Sequence, residues 1–166
     1  IRERTMMIAE LICVTMSCTI MTLYLIAYIL NVGVPTSISE TYYKTQKKWL
    51  FPTCTATAGT LALVPLLNVT PDNYQFVAFF IVASILFVAA APAFREELTN
   101  HVHSGAAIIL GLSALAWLIL TSGVPYIALT ATLIGLATDR RHFVFWLEAG
   151  LLYNLYASLI LILSYR

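Results

Sequence analysis

The chain has 166 residues, of which 60% are hydrophobic and only 10% are charged. Soluble domains carry about 25% charged residues, so this composition excludes a water-soluble globular domain and favours a chain that is largely buried in lipid. The net charge of +1 also argues against nucleic acid as a partner.

The pattern of apolar runs predicts an all-α fold: a single domain over residues 1–166 with six transmembrane helices in one bundle. A span needs about 20 apolar residues to cross the hydrocarbon, and Pro and Gly mark the turns between spans. The first run is too long for the hydrophobic region of a signal peptide, so it is interpreted as a true span. The predicted spans cover residues 6–30, 49–67, 74–94, 103–121, 126–138 and 143–163.

Six spans would place the links 31–48, 95–102 and 139–142 on one side of the membrane and both termini on the other. Basic side chains favour the cytoplasmic side of a membrane. The three links hold Lys44, Lys47, Lys48, Arg95, Arg140 and Arg141, whereas the terminal segments hold Arg2, Arg4 and Arg166. The links are therefore predicted to be cytoplasmic, and both termini are predicted to lie on the opposite side.

Most of the polar chemistry falls on that predicted cytoplasmic side, centred on residues 35–43. A functional site is expected there, opening into the bundle. The alternative is that these links are polar only because water solvates interhelical loops. The side chains concerned are Ser37, Ser39, Glu40, Tyr42, Tyr43, Arg95, Glu96, Glu97, His101, His103, Asp139, His142 and Glu148.

Glu148 lies inside the last predicted span, roughly 7 Å from its start at 1.5 Å per residue. An ionisable group at that depth is costly unless it is paired, so it indicates either a functional site or a structural pair. Its expected partners are Arg95, Arg140, His103 and Tyr43.

The three histidines, His101, His103 and His142, give two hypotheses: no cofactor, or one zinc ion. Zinc takes three or four protein ligands, and an acidic residue from another link would complete the set. Residues two positions apart on a regular helix point about 200° apart, so His101 and His103 can share an ion only if the helix begins at His103. Otherwise the histidines are structural groups.

His103 also begins a series of small residues at helical spacing, which continues through Ala107, Gly111 and Ala114. Small residues let membrane helices approach closely, so this face is predicted to pack inside the bundle. The second span offers a matching surface, formed by Thr53, Ala56, Thr57, Gly59 and Thr60.

Two family resemblances follow from these motifs. The stretch Pro35-Thr-Ser-Ile-Ser-Glu-Thr, then Leu50-Phe51, then His103-Ser-Gly-Ala106 resembles the six-span DRAM/Sfk-like membrane proteins. That resemblance implies a six-helix bundle with a regulatory or lipid-related role and no common catalysis.

The second resemblance is to the ceramidase/adiponectin-receptor-like membrane hydrolases, which place serine, aspartate and histidines around zinc at one membrane face. Ser39, Asp139, His101, His103 and His142 are similar to that inventory. The resemblance implies a metal-dependent hydrolase.

The leading functional interpretation is a non-catalytic integral membrane protein that interacts with lipids, as a regulatory or accessory subunit of a membrane assembly. Its partners would be membrane lipids and a second membrane protein or a further copy of the chain. The alternative is a metal-dependent hydrolase of a lipid amide or ester at the histidine face. Its candidate catalytic residues are Ser39 as a nucleophile, Glu40 or Asp139 as the base, and Glu148. A third hypothesis is a small transporter with a water-filled path past Thr57 and Gly111.

Overall fold

The computed structural model describes residues 2–90 and 97–166, and side chains for residues 3–90 and 102–166. The described part is all-α, which confirms the predicted fold class. Short 3-10 turns at Asp72–Tyr74 and Arg140–His142 precede two of the helices. The helices are α1 (Arg2–Val32), α2 (Glu40–Lys44), α3 (Leu50–Val69), α4 (Gln75–Ala90), α5 (Glu97–Thr121), α6 (Tyr126–Thr138) and α7 (Phe143–Ser164).

Five of the described helices, α1, α3, α4, α5 and α7, are long and apolar enough to cross a membrane. Helix α6 begins and ends at the predicted residues but has only 13 residues, about 20 Å at 1.5 Å per residue. The prediction of six transmembrane spans is therefore not confirmed, because this predicted short fifth span is below the length that crosses a membrane. The predicted end of the third span, at residues 91–94, lies outside the described residues.

The predicted link at 95–102 is wrong in part, because α5 is already helical from Glu97. Hydropathy marks the part of a helix that sits in hydrocarbon, whereas the helix itself continues through polar residues beyond it. An acidic residue is also favoured in the first turn of a helix by the helix dipole. Arg95 and Glu96, which begin this link, lie outside the described residues.

Helix α7 is the central element of the bundle. Helices α1, α3, α4 and α5 pack in sequence order, and α7 packs against α1, α3 and α5 on one side and against α6 on the other. The α6–α7 contact is close, since a Cβ added to Gly150 would lie 2.9 Å from the Cβ of Ala131 and 3.0 Å from the Cα of Ala128.

Helix α6 lies beside only the first half of α7. The Oδ1 of Asn154, midway along α7, accepts hydrogen bonds from the backbone N–H groups of Ile127 (2.9 Å) and Ala128 (3.2 Å). Near the C-terminal end of α6, Gly135 lies against the side chain of Trp146 on α7. Helix α6 therefore begins level with the middle of α7, and the Asn154 amide satisfies backbone donors that would otherwise be unpaired.

Candidate functional site

Residues 35–43, called the plug below, fold back into the end of the bundle. Pro35 and Thr41 are fully buried. The hydroxyl of Tyr24 on α1 donates to Thr41 Oγ1 (2.6 Å), and Thr41 Oγ1 donates to the carbonyl of Ile38 (2.6 Å). This segment is therefore part of the packed structure and not only a solvated loop.

Two hydrogen bonds attach the plug to the start of α7. The backbone N–H of Phe145 donates to the carbonyl of Thr36 (3.0 Å), and the backbone N–H of Ile38 donates to Glu148 Oε2 (2.6 Å). No ion pair to Glu148 occurs among the described side chains of residues 3–90 and 102–166. The predicted pairing was different, with partners His103, Arg140, Tyr43 and Arg95, the last of which lies outside the described residues.

Glu40 acts inside the plug. Its Oε2 accepts the backbone N–H of Thr36 (2.5 Å), and its Oε1 pairs with Lys44 Nζ (2.9 Å). Burial raises the pKa of Glu40, but the hydrogen bonds from Lys44 and Thr36 together outweigh burial and hold the pKa below its usual value. A carboxylate held ionised by local partners suits a structural role better than that of the base proposed from sequence.

The candidate nucleophile Ser39 is engaged with a neighbour in the plug. Its Oγ lies 3.2 Å from Ser37 Oγ, which also accepts the backbone N–H of Glu40 (3.1 Å). No hydrogen bond joins either serine to a histidine within the described side chains. The structure therefore brings Ser39 close to Glu148 through the neighbouring Ile38, but it does not join Ser39 to a histidine among the described side chains.

Beneath the plug lies an elongated cavity of about 140 Å³ between α1, α3, α4, α5 and α7. On α3 its lining runs from Phe51 to Leu66, about 22 Å at 1.5 Å per residue. Ile38 and Ser39 close it at the plug end, and Glu148 lies at the same end because it bonds Ile38. Nearly all other lining side chains are apolar or small.

Two hydroxyl groups in the cavity wall differ in their hydrogen bonding. Near the plug, Thr55 is only 8% exposed and its Oγ1 has no partner among the described residues. Further along, the hydroxyl of Tyr156 lies 2.8 Å from Ser17 Oγ, and Ser17 in turn donates to the carbonyl of Ala58 (2.7 Å). The polar groups of this cavity that can still form further hydrogen bonds are therefore at the plug end, on Thr55 and Glu148.

The series of small residues on α5 serves a different purpose from the one predicted. Ala107, Gly111 and Ala114 line the cavity, and a Cβ added to Gly111 would meet no atom within 4 Å. In contrast, a Cβ on Gly59 would lie 2.6 Å from Ile85 of α4, so close helix packing occurs there. Thr57 is exposed on the outside of α3, so the cavity does not follow the path proposed for a transporter.

His103 is buried on α5, at 9% exposure, one helical turn before the cavity residue Ala107. Neither ring nitrogen has a hydrogen-bond partner among the described residues. The prediction that it points into the bundle is thus confirmed, whereas its predicted pairing with Glu148 is not observed.

His142 and Asp139 form a local pair at the turn before α7. His142 Nδ1 lies 2.6 Å from Asp139 Oδ2, and Asp139 Oδ1 accepts the backbone N–H of Arg141 (3.0 Å). The hydrogen bond from His142, with that from Arg141, holds the pKa of Asp139 below its usual value. Asp139 therefore caps this turn.

The described residues do not assemble the predicted zinc set. The side chain of His101 lies outside the described residues, and His103 and His142 do not join a third ligand. Within the described part of the chain, no group of three or more His, Cys, Asp or Glu side chains is placed to hold one metal ion.

Sequence reasoning identified Ser39 and Glu148 but missed the backbone N–H of Ile38 and the hydroxyl of Thr55. The amide was missed because every residue carries one. The signal for Thr55 was its position four residues after Phe51, on the same helical face.

Comparisons with protein-family models, curated proteins and solved structures find no match for this chain. The two family resemblances therefore stay predictions. The fold and site define a class: in its described residues the chain is all-α, with five helices of membrane-spanning length around a narrow, mostly apolar cavity.

Proposed function

We propose that this chain is a non-catalytic integral membrane protein that binds the hydrocarbon part of a membrane lipid, and that it acts as a regulatory or accessory component of a membrane assembly. The observation that carries the proposal is the cavity beneath the plug. It is long, narrow and apolar along most of its length, and its polar atoms are concentrated at one end, as the shape of an amphiphile requires.

The outer surface supports a location in lipid. Large apolar side chains are exposed along the described helices, including Leu30, Phe76, Phe79, Phe80 and Phe87. Exposure of such a surface to water would be strongly unfavourable, whereas in a bilayer the same apolar side chains contact the hydrocarbon chains of the lipids. A lipid chain in contact with this surface is therefore always at high local concentration.

The proposal includes six membrane crossings, with residues 122–125 and α6 together forming the short fifth one. Glu3, Arg4 and Arg166 line one pocket, so both terminal segments lie at the same end of the bundle. An even number of membrane crossings places both ends of a chain on the same side of the membrane. The plug would then face the cytoplasm, where the excess of Lys and Arg in its links favours it.

The test is lipid analysis by native mass spectrometry of protein purified in mild detergent. The wild type, Gly111→Leu and Gly105→Leu would be compared. Both glycines have open space around a new Cβ, but only Gly111 lines the cavity. We expect bound lipid on the wild type and on Gly105→Leu, and a large loss on Gly111→Leu.

Equal lipid on all three proteins would show that any bound lipid lies outside the cavity. No lipid on the wild type, even after lipid is added back, would refute the proposal.

A further inference from the structure

We infer that the cavity takes a single-chain amphiphile whose head group is non-anionic and donates hydrogen bonds, as a long-chain amine or alcohol does. This inference rests on the proposed function and specifies the ligand class of the same site. Its basis is the polar end of the cavity, where acceptors and one unpaired hydroxyl meet an otherwise apolar channel.

The volume limits the ligand to one chain. An apolar cavity of about 150 Å³ holds a single benzene ring. The cavity here has about 140 Å³ and is partly open, so by the same measure it holds about six carbons of one chain, and the rest of a longer chain lies outside it. The two chains of a phospholipid do not fit in it side by side.

The carboxyl of Glu148 specifies the charge of the head group. Its Oε2 accepts the N–H of Ile38, and no cationic side chain among those described, residues 3–90 and 102–166, forms an ion pair with it. A carboxyl group inside a span needs a proton or a positive or donating partner. An amine or hydroxyl head would supply that partner, while a fatty-acid carboxylate would be repelled.

Thr55 provides the second contact. Its side chain lines the cavity, is 8% exposed and has a hydroxyl with no partner among the described residues. Buried hydroxyl groups are nearly always hydrogen-bonded in native structures. A ligand head group between Thr55 and Glu148 would satisfy this one, because a hydroxyl both donates and accepts.

The experiment is a competition among hexadecylamine, hexadecanol, palmitic acid and dioleoyl phosphatidylcholine for the purified, delipidated chain in detergent, read by native mass spectrometry. The variants are Glu148→Gln and Thr55→Val. We expect Glu148→Gln to fold, because the side-chain oxygen of a glutamine still accepts the Ile38 N–H. Matched controls are Glu40→Gln, which changes a plug carboxyl outside the cavity, and Thr57→Val, which changes an exposed hydroxyl on α3.

We expect the wild type to take the amine and the alcohol in preference to the acid and the phospholipid. Glu148→Gln should weaken amine binding by roughly tenfold to a hundredfold, the usual value of a hydrogen bond to a charged group. Thr55→Val should weaken binding of the alcohol and the amine, and the two controls should leave the order of preference unchanged.

The inference is overturned if palmitic acid or the phospholipid binds the wild type as well as the amine does. It is also overturned if Glu148→Gln and Thr55→Val both keep the wild-type order of preference. Failure of the proposed function gives a different result: no probe binds the wild type, or Gly111→Leu binds every probe as the wild type does.

Discussion

Filling the cavity from Gly111 should stabilise the delipidated protein. Gly111→Leu places a side chain into space that a Cβ enters without contact within 4 Å. Gly105→Leu adds the same side chain to the same helix, and it too has no atom within 4 Å of the new Cβ, but Gly105 does not line the cavity. The pair therefore separates cavity filling from helix propensity.

The magnitude follows from the cavity volume. At about 24 cal/mol per Å³, an empty cavity of 140 Å³ lowers the free energy of unfolding by roughly 3 kcal/mol. Leucine fills part of that space, so Gly111→Leu should gain about 1–2 kcal/mol more than Gly105→Leu, while both gain about 0.8 kcal/mol from leaving glycine in a helix. The milder Gly111→Ala should exceed Gly105→Ala by about 0.8 kcal/mol, the value of one buried methyl group.

The assay is reversible unfolding in mixed detergent micelles, with and without added lipid. The advantage of Gly111→Leu should appear in delipidated protein and should shrink or reverse when lipid is supplied, because the wild type then gains the binding energy of a ligand that the variant excludes. Equal stability changes at Gly111 and Gly105 under both conditions would refute the reasoning.

Three further substitutions test single contacts. His103→Leu should raise the free energy of unfolding by about 1 kcal/mol in detergent, because it removes a buried imidazole with no hydrogen-bond partner among the described residues. Asn154→Ala should lower it by about 2 kcal/mol, because two backbone N–H groups at the start of α6 lose their acceptor. Glu40→Gln should reduce the acid sensitivity of the thermal midpoint. Because the pKa of Glu40 is below its ordinary value of 4.5, the wild type has this stabilisation above pH 4.5 and loses it as the pH falls through the folded-state pKa.

Each of these substitutions has a contrary outcome. A lower free energy of unfolding for His103→Leu would show that the imidazole is paired and would favour the zinc hypothesis. An unchanged free energy of unfolding for Asn154→Ala would show that the N–H groups of Ile127 and Ala128 do not depend on this acceptor. Identical pH profiles for Glu40→Gln and the wild type would contradict the stabilising role of the Glu40–Lys44 ion pair.

The helices were largely predictable, because each crossing segment is a long apolar run that ends at a turn residue. The bounds of α6 and the start of α7 at Phe143 agree with the sequence pattern. The start of α5 does not agree with the sequence pattern, because Glu97 is polar but already belongs to the helix. The depth of α6 could not be predicted either, because it depends on the distant amide of Asn154.

The site was only partly predictable. The depth of Glu148 and the concentration of polar residues at 35–43 pointed to the correct end of the bundle. The Ile38–Glu148 bond joins residues far apart in sequence and uses a backbone donor, which no pattern of side chains reveals. Gly111 was misinterpreted for a related reason: a small residue permits either close packing or empty space, and only the neighbouring helices decide which.

The bond between Ile38 and Glu148 also sets an order of events during synthesis. The two residues are 110 positions apart. At about 5–20 residues per second, the ribosome needs roughly 5–20 s to cover that distance. During that interval α1, the plug and α3 exist without α7, so one wall of the channel is missing and hydrocarbon from the bilayer has free entry. Closure comes last, so under the proposed function translation is the stage at which the cavity would most easily enclose a lipid.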